Sequence, residues 1–586
     1  MQKRWHILSP DPKQVSMLAE SLGCRPAVAT VLTNRGICSP DRATAFLKPS
    51  LARVRSPFLM KDTDRAVERI LLAILRREKV LVCGDYDVDG ITATALLFEF
   101  LSYLDADVRF YIPNRLTEGY GLSLDCVEKC AIPDNIGLII TVDCGISSHE
   151  AVSAARRAGI DVIITDHHEI PSQMPDALAV LNPKRPDCPS GFSWLAGVGV
   201  AFNLVLALRK RLRDEGFWNS HLEPNLKAAC DLVALGTVAD MVPLVEENRI
   251  YVKAGLEVLS SDVRPGVKAL LDVSNMPDRP LDTREIAFRI APRLNAAGRL
   301  RNGSIALKLL MTSDTKIAHA IAEELNQENT RRQEIENLIL SDITQHLEDN
   351  PRLLKQRALV LDRPGWHEGV VGIVASRLVN RYCRPVVVIA VADGIGKGSA
   401  RSPDGFDVYE GLKSCSQYLE KFGGHKAAAG LTLRAENIPA FSKKFERIVC
   451  EKTIPEDFVP KLVIDSEISV SDICTELVDE LEALAPFGTG NPEPLFMLSD
   501  IDVLSARMVG AHHLQMRLRS SKKHQTKPLD AIFFNTPSPL MPRSGRQMGA
   551  AEPHPKHLNQ IACHIRWNRW KDRKRIQLVI RDLEPG

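Results

Sequence analysis

Short apolar runs alternate with stretches of helical spacing along the first half of the chain. KVLVCG (79–84), GLIITV (137–142) and DVIIT (161–165) are apolar over most of their length and rich in Val, Ile and Leu. The first leads into ITATALLFEFLSYL (91–104) and the second into SSHEAVSAARRAG (147–159), which Gly159 closes. Continuous apolar strands between helices predict a parallel sheet covered on both faces. The rhythm resumes with ALVLD (358–362), a helix over 368–380, and PVVVIAV (385–391) ahead of a glycine-rich turn, a second α/β domain ending near 450. Between them, 315–350 reads as one long helix. Its middle, NQENTRRQE (326–334), is almost wholly polar, which predicts a solvent-bathed bridge between domains. HLQMRLR (513–519) and IQLVIRDL (576–583) alternate in character, as in a small β-barrel or sandwich. Residues 1–60 are irregular and hold several prolines, and are expected to pack on the first domain.

Composition narrows the class. The 586 residues are 45% hydrophobic and 25% charged, which excludes a wholly disordered chain, a collagen and a polytopic membrane protein. Cys188 to Leu208 is a stretch of 21 residues without a charge, but its prolines and glycines predict a loop entering a buried helix rather than a bilayer span. The thirteen cysteines form no CxxC pair; they read as free thiols of a reducing compartment and support neither a disulfide framework nor a four-cysteine zinc site. The first residues lack the apolar core of a signal peptide, so a cytoplasmic location is expected. Net charge is +2, but residues 451–500 carry 2 basic and 12 acidic side chains while 501–586 carry 16 basic and 6 acidic. A switch that abrupt points the last segment toward an anionic partner.

Acidic residues fall where the strands end. The first strand runs into Asp85, Asp87 and Asp89, the second into Asp143, and the third into Asp166, His167 and His168; Asp240 follows the apolar segment 231–239. The carboxyl ends of strands in an open α/β sheet meet at one edge, where ligands bind. A single Asp there is as often a helix cap or turn residue, but four such positions on consecutive units are not explained that way. The alternation of Asp85, Asp87 and Asp89 predicts an extended strand end with all three on one side, and Gly90 a sharp turn into the helix. Carboxylates gathered this closely repel unless cations neutralise them. Oxygen and imidazole ligands without thiolate suit Mn2+ or Mg2+, and the number of carboxylates suffices for two ions. Two such ions, about 3.5–4 Å apart, can activate a water and stabilise the leaving oxygen in an in-line phosphoryl displacement.

DYDVDG (85–90), VDCG (142–145), DHH (166–168) and VAD (238–240) together resemble the DHH phosphoesterase superfamily, and their order and spacing are similar to its bacterial single-strand-specific exonucleases. IAPRLNAAGRL (290–300) resembles a block of that branch, GKGSARS (396–402) and GGHKAAAG (423–430) its DHH-associated domain, and LAPFGTGNPEPLF (484–496) the lead-in to its OB-fold. The resemblance implies an α/β fold: a parallel-sheet DHH domain (61–312) after an N-terminal extension (1–60), a connecting helix (313–352), an α/β DHH-associated domain (353–452), and a C-terminal β-barrel OB-fold (453–586). It implies Asp87, Asp89, Asp143, His167, His168 and Asp240 as metal ligands and catalytic residues, with Asp85 in direct or water-mediated support. Asp166 either orients a histidine or ligates. The implied activity is 5′→3′ degradation of single-stranded DNA to mononucleotides by a monomer, in recombination and mismatch repair, with single-stranded-DNA-binding protein as a partner.

The same resemblance draws Ser399, Arg401 and His425 to the substrate, Arg115 to the 5′-phosphate, and Asn295 and Arg299 to the passage between the domains. GIGKGS (394–399) lacks the GxxxxGK[ST] spacing, so an ATP site is not expected, and the run alone reads as a glycine turn. In IRWNRWKDRKRIQLVI (565–580), Trp567 and Trp570 interleave with Arg569 and five further basic residues, a pattern suited to stacking bases while neutralising phosphates. A hairpin with core tryptophans accounts for part of the same pattern. The main rivals are a small-substrate phosphoesterase, which would not need the basic segment, and a non-catalytic single-strand-binding scaffold, against which the full metal set argues.

Overall fold

The computed structural model describes residues 3–115, 117–276, 280–300, 302–510, 512–522, 527–536, 556–570 and 573–585, with only the backbone of Trp570. The chain divides into two compact units, Val54–Pro460 and Gln2–Arg53 with Lys461–Gly586.

The first unit opens with the expected parallel sheet. Strands β1 (Lys79–Gly84), β2 (Val108–Tyr111), β3 (Ile136–Val142), β4 (Asp161–Thr165) and β5 (Ala179–Leu181) stand in the order β2-β1-β3-β4-β5, every pair parallel. The central strands are almost wholly buried, which is why they read as continuous apolar runs. Helix α1 (Val88–Tyr103) leaves the end of β1 and packs on α2 (Gly197–Asp214) and α3 (Cys230–Ala239). The uncharged stretch from Cys188 is, as expected, a loop feeding the buried start of α2. Among the described residues no helix is long and apolar enough to cross a membrane.

Helix α4 (Ala291–Leu300) precedes the connecting helix α5 (Thr315–Asp349), which is 35 residues long. Its polar middle is solvated on one face, where Gln327, Thr330, Arg331, Gln333 and Glu334 are exposed, and packed on the other, so it is not bathed all round as the pattern predicts. Glu328, Asn329, Arg332 and Glu336 are buried where α5 packs on α4 and on α6 (Val371–Tyr382). Part of that cost is offset locally: Arg332 donates to Asn329 Oδ1 (2.9 Å) and Glu336 Oε2 (3.1 Å), and Arg377 of α6 pairs with Glu336.

The second sheet combines β6 (Leu359–Pro364), β7 (Val386–Ala392), β8 (Ile395–Arg401), β9 (Lys421–Gly424) and β10 (Ala428–Arg434) in the order β9-β10-β8-β7-β6. The glycine turn expected over 394–399 is only Asp393-Gly394, both at positive φ, the two-residue connection a tight hairpin favours. From Ile395 the segment is an interior strand, and a Cβ on Gly398 would meet Ile389 and Leu431 at 3.0 Å. These glycines make room for core side chains.

In the second unit, β11 (Phe496–Val509), β12 (His513–Ser520), β13 (Leu529–Phe533), β14 (His557–Trp570) and β15 (Arg573–Pro585) run in the order β11-β12-β13-β15-β14, and β14 pairs back onto β11 to close a five-stranded barrel. Residues 3–53 belong here and not to the first domain, as had been expected. Leu18, Val28, Val31 and Leu32 of their helices share one core with Phe496, Leu514 and Leu578 of the barrel, and Arg4–Ile7 pairs in parallel with Lys461–Ile464. Those apolar faces have no cover of their own, so they dock on the barrel core wherever the chain order places it.

Candidate metal centre and anion pocket

The ends of β1, β3 and β4 and the end of α3 converge. Three sets of side chains each bring ligand atoms within 4.8 Å of one another: Asp85, Asp87 and Asp143; Asp89, His167 and Asp240; and Asp143, His167 and His168. His167 Nε2 lies 3.1 Å from Asp143 Oδ1, 3.6 Å from Asp240 Oδ2 and 3.8 Å from Asp89 Oδ2. All seven ligands expected from the motifs are therefore in one place.

The local backbone differs from the extended reading. β1 stops at Gly84, Asp87 is the N-cap of α1, accepting through Oδ1 from the amides of Asp89 (3.0 Å) and Gly90 (3.2 Å), and Asp89 lies in the first helical turn. Asp87 is thus both a cap and a candidate ligand, since Oδ2 takes no part in the cap. Gly90 is helical; its reason is close approach, for a Cβ there would stand 2.6 Å from the Asp85 amide nitrogen. Asp143 sits at φ 59°, a left-handed conformation uncommon for Asp, held by its amide on Thr165 (3.0 Å) and by the Tyr120 hydroxyl on its carbonyl (2.9 Å).

Burial makes the cluster electrostatically incomplete. Asp85 and Asp143 are raised well above the carboxylate range, first by desolvation and then by neighbouring carboxylates. Desolvation, then the charges of Asp87 and of Asp89 respectively, push Asp89 up to about 7 and Asp240 up to about 9. His167 is pushed down to about 3 by burial and then by the charge of His168. Asp85 Oδ1, Asp143 Oδ1 and His167 Nε2 are buried polar atoms without hydrogen-bond partners. Lone pairs aimed inward without donors are what a cation would satisfy, so the residues fit divalent ions.

Asp166 takes the orienting role of the two left open. One oxygen accepts from the amides of His167 (2.7 Å) and His168 (3.0 Å) and from His168 Nδ1 (2.7 Å), the other from the Ile146 amide (3.0 Å). Burial works to raise it, but these bonds and the His168 charge leave it lowered. A His168 that donates from Nδ1 presents Nε2 as its acceptor. Sequence reasoning missed Tyr120 and the start of α2, where the amides of Gly197 (2.7 Å) and Val198 (2.8 Å) hold both oxygens of Asp89. The glycines of LAGVGV were the available signal.

Beside the cluster lies a cavity of about 600 Å³ lined by Tyr86, Arg115, Tyr120, Ser399 and Arg401 and floored by glycines of β9 and β10. Arg115 stacks over Tyr86 at 5.0 Å, and Arg401 donates to Ser399 Oγ (2.7 Å). Burial, then the charges of Arg115 and Arg332, bring Arg299 down to about 10, and Arg401 is lowered by burial and Arg115. Guanidiniums that depress one another this way favour an anion. His425, exposed at the β9–β10 turn, has its ring stacked 6.3 Å from that of His168. Asn295 does not line the cavity; its Oδ1 accepts from the Val88 amide (3.2 Å) and seats α1.

On the barrel, Trp567 is half-buried, with its indole on Asp479 (2.8 Å) and Lys574 4.1 Å above its ring; Arg569 pairs with both oxygens of Glu482 (2.7 and 2.6 Å). Part of the acidic-to-basic switch is thus answered within the unit. The side chain of Trp570 lies outside the described residues. A second cavity of about 900 Å³, bordered by Trp567, Arg507, Arg517, Lys527 and Arg575, joins Arg575 of the tryptophan-rich segment to three cations that were not singled out from sequence.

Residues 79–237 match the DHH family, N-terminal domain, 355–451 the DHHA1 domain, and 464–582 the RecJ OB domain. A Bacillus subtilis strain 168 protein named single-stranded-DNA-specific exonuclease RecJ is 38% identical over 99% of this chain and 70% of its own length. The chain belongs to the RecJ family. The Escherichia coli strain K12 RecJ is 36% identical over 96% of each chain. The crystal structure of RecJ in complex with Mn2+ from Thermus thermophilus superposes with a TM-score of 0.81 at 31% identity, over 100% of this chain and 80% of that one. The RecJ fold accounts for the strand order of both sheets and the closed barrel.

Proposed function

We propose that this RecJ-family chain is a single-stranded-DNA-specific exonuclease that degrades 5′→3′ to mononucleotides. The observation that carries this reading is the orphaned carboxylate–imidazole cluster lying against a cationic cavity. Asp89, His167 and Asp240 would hold one Mn2+ or Mg2+, and Asp85, Asp87 and Asp143 a second, with His168 completing the set. When bound, such a pair supplies Lewis acidity that stabilises charge on the attacking and leaving oxygens of the phosphodiester. Arg115 and Arg401, with Ser399 beside them, grip the 5′-terminal phosphate and so fix which bond stands over the cluster. Arg299 adds charge from behind the cavity, and His425 flanks the departing nucleotide. The buried start of α2 keeps Asp89 from swinging out, and Asp166 keeps His168 turned inward.

The barrel cavity around Trp567 binds the single strand by stacking and phosphate contacts. We further propose a monomeric, cytoplasmic protein, acting in recombination and mismatch repair alongside single-stranded-DNA-binding protein. The test is a time course with Mn2+ on strands labelled at either end, alone and annealed to a complement. Mononucleotides released first from the 5′ end of single strands support the reading. Hydrolysis confined to dinucleotides or pyrophosphate would replace it with a small-substrate phosphoesterase.

A further inference from the structure

The acidic segment ahead of the barrel folds back onto the basic one. Helix α7 (Thr475–Ala483), TELVDELEA, carries Glu476, Asp479, Glu480 and Glu482. Its apolar residues Leu477, Val478 and Leu481 are buried in the barrel core, which fixes the helix in place. Asp479 and Glu482, three residues apart, stand on one side of it. They reach the hairpin of β14 and β15, where Arg569 is the cross-strand partner of Lys574. Asp479 Oδ1 accepts from Trp567 Nε1 (2.8 Å) and from Lys574 Nζ (2.9 Å), and that ammonium lies 4.1 Å over the indole ring. Glu482 accepts from both terminal nitrogens of Arg569, at 2.7 and 2.6 Å. Trp567 and Lys574 border the barrel cavity, and so does Thr475 at the start of α7. A surface ion pair is by itself ordinary and contributes little. Here two of them meet on the hairpin that borders a cationic cavity, and one holds a cation over the indole face on which a base would stack. A carboxylate seated on both terminal nitrogens of an arginine has the geometry of a phosphate on that arginine. The four charged side chains are between 40% and 58% exposed, so an incoming phosphate reaches all of them.

We propose that Asp479 and Glu482 stand in for phosphates on the barrel, so that a single strand must displace them and its affinity is held below what the cations alone would give. The proposal rests on the reading of the barrel as a single-strand-binding surface. Displacement is easy, because both pairs are exposed and neither carboxylate is needed by the core. It is also incomplete: α7 is anchored by Leu477, Val478 and Leu481, so the two carboxylates swing aside but stay close enough to repel the bound phosphates. Salt screens that repulsion, and the brake is therefore strongest at low ionic strength.

The test measures binding of the full chain in EDTA to a thirty-nucleotide single strand, by fluorescence anisotropy across a series of salt concentrations. D479N/E482Q keeps the shape of both exposed side chains and should bind roughly 2- to 30-fold more tightly at low salt, the range of two exposed ion pairs. The slope of log affinity against log salt should steepen by up to about 1.4, the share of two single-strand phosphates. E476Q removes a charge from the same helix, but its carboxylate faces Arg25 (3.5 Å), and it should change neither quantity. In an R569A/K574A background the gain from D479N/E482Q should vanish. A D479N/E482Q chain that binds as wild type does, or more weakly, would overturn the brake. An equal gain from E476Q, or one that survives in the R569A/K574A background, would overturn it too, since net charge alone would then explain it. R569A/K574A that binds as wild type does at every salt concentration would instead overturn the barrel reading on which the proposal rests.

Discussion

Gly197→Ala tests the geometry of the metal cluster from the glycine that lies against Asp143. Gly197 is helical, so alanine is allowed there by the backbone. The difficulty is the neighbour: an added Cβ stands 2.5 Å from Asp143 Cβ and 2.6 Å from its Cγ, where ordinary contact begins at 3.4 Å. One of the two must retreat by about 0.9 Å. Asp143 has little freedom, because its backbone is tied to Thr165 and Tyr120 at a positive φ. If α2 retreats instead, the Gly197 amide leaves Asp89. Either route shifts one carboxylate by most of an ångström, and displacements of about 1 Å in catalytic geometry cost up to about 10²-fold in rate. The assay is kcat against Mn2+ concentration, with calorimetric Mn2+ affinity and a thermal melt of the metal-free chain. Both kcat and affinity should fall, and the metal-free melt should show the loss of roughly 1–3 kcal/mol that overpacking a buried site costs, so the Mn2+ affinity is read at a temperature where the chain remains folded. Gly199→Ala is the control, since the one tight contact of its Cβ is the movable end of Leu195, at 3.1 Å, and Leu195 Cβ (3.4 Å) and Asn248 Oδ1 (3.7 Å) stand at ordinary contact. A Gly197→Ala chain with wild-type kcat and Mn2+ affinity would refute the reasoning.

Asp166→Asn removes the charge that holds the His168 ring and should weaken Mn2+ binding about 10–100-fold, as measured by calorimetry; unchanged affinity would make Asp166 a bystander. Arg401→Ala should lower kcat/KM about tenfold or more on 5′-phosphorylated strands, the scale of a charged hydrogen bond, and much less on 5′-hydroxyl strands; equal losses on both would remove Arg401 from phosphate recognition. In EDTA, stability should fall as pH rises from about 6.5 toward 9, because Asp89 and Asp240, raised to about 7 and about 9, hold protons in the folded state that the unfolded chain has lost. His167, lowered to about 3, acts oppositely but only below the ordinary histidine range. Melts with Mn2+ should lose this fall, so a slope indifferent to Mn2+ would count against an ion among these carboxylates.

Much of the site could be read from the chain because its ligands are tied to strand and helix ends. Asp143, His167 and His168 follow apolar runs whose burial on both faces fixes the sheet, and the sheet fixes where the runs end. The three aspartates of the first loop were expected on one extended strand end; they do come together, but Asp87 caps α1 and Asp89 stands in its first turn, because alternating Asp residues look extended until one of them caps a helix. The polar middle of α5 misled for a related reason. Charge along a helix signals solvent only when no complementary charge waits on the neighbour, and Arg377 of α6 waits for Glu336.

Local pattern, which depends on nearby residues and their periodicity, determined the central strands of both sheets, the long helix, two of the five barrel strands and the candidate metal ligands. Tertiary structure alone decided that residues 3–53 complete the barrel core, that Asp166 orients His168, and that cations distant in sequence share one cavity. Those outcomes depend on which surfaces meet across hundreds of residues, and desolvation and charge pairing act on spatial neighbours rather than on neighbours in the chain.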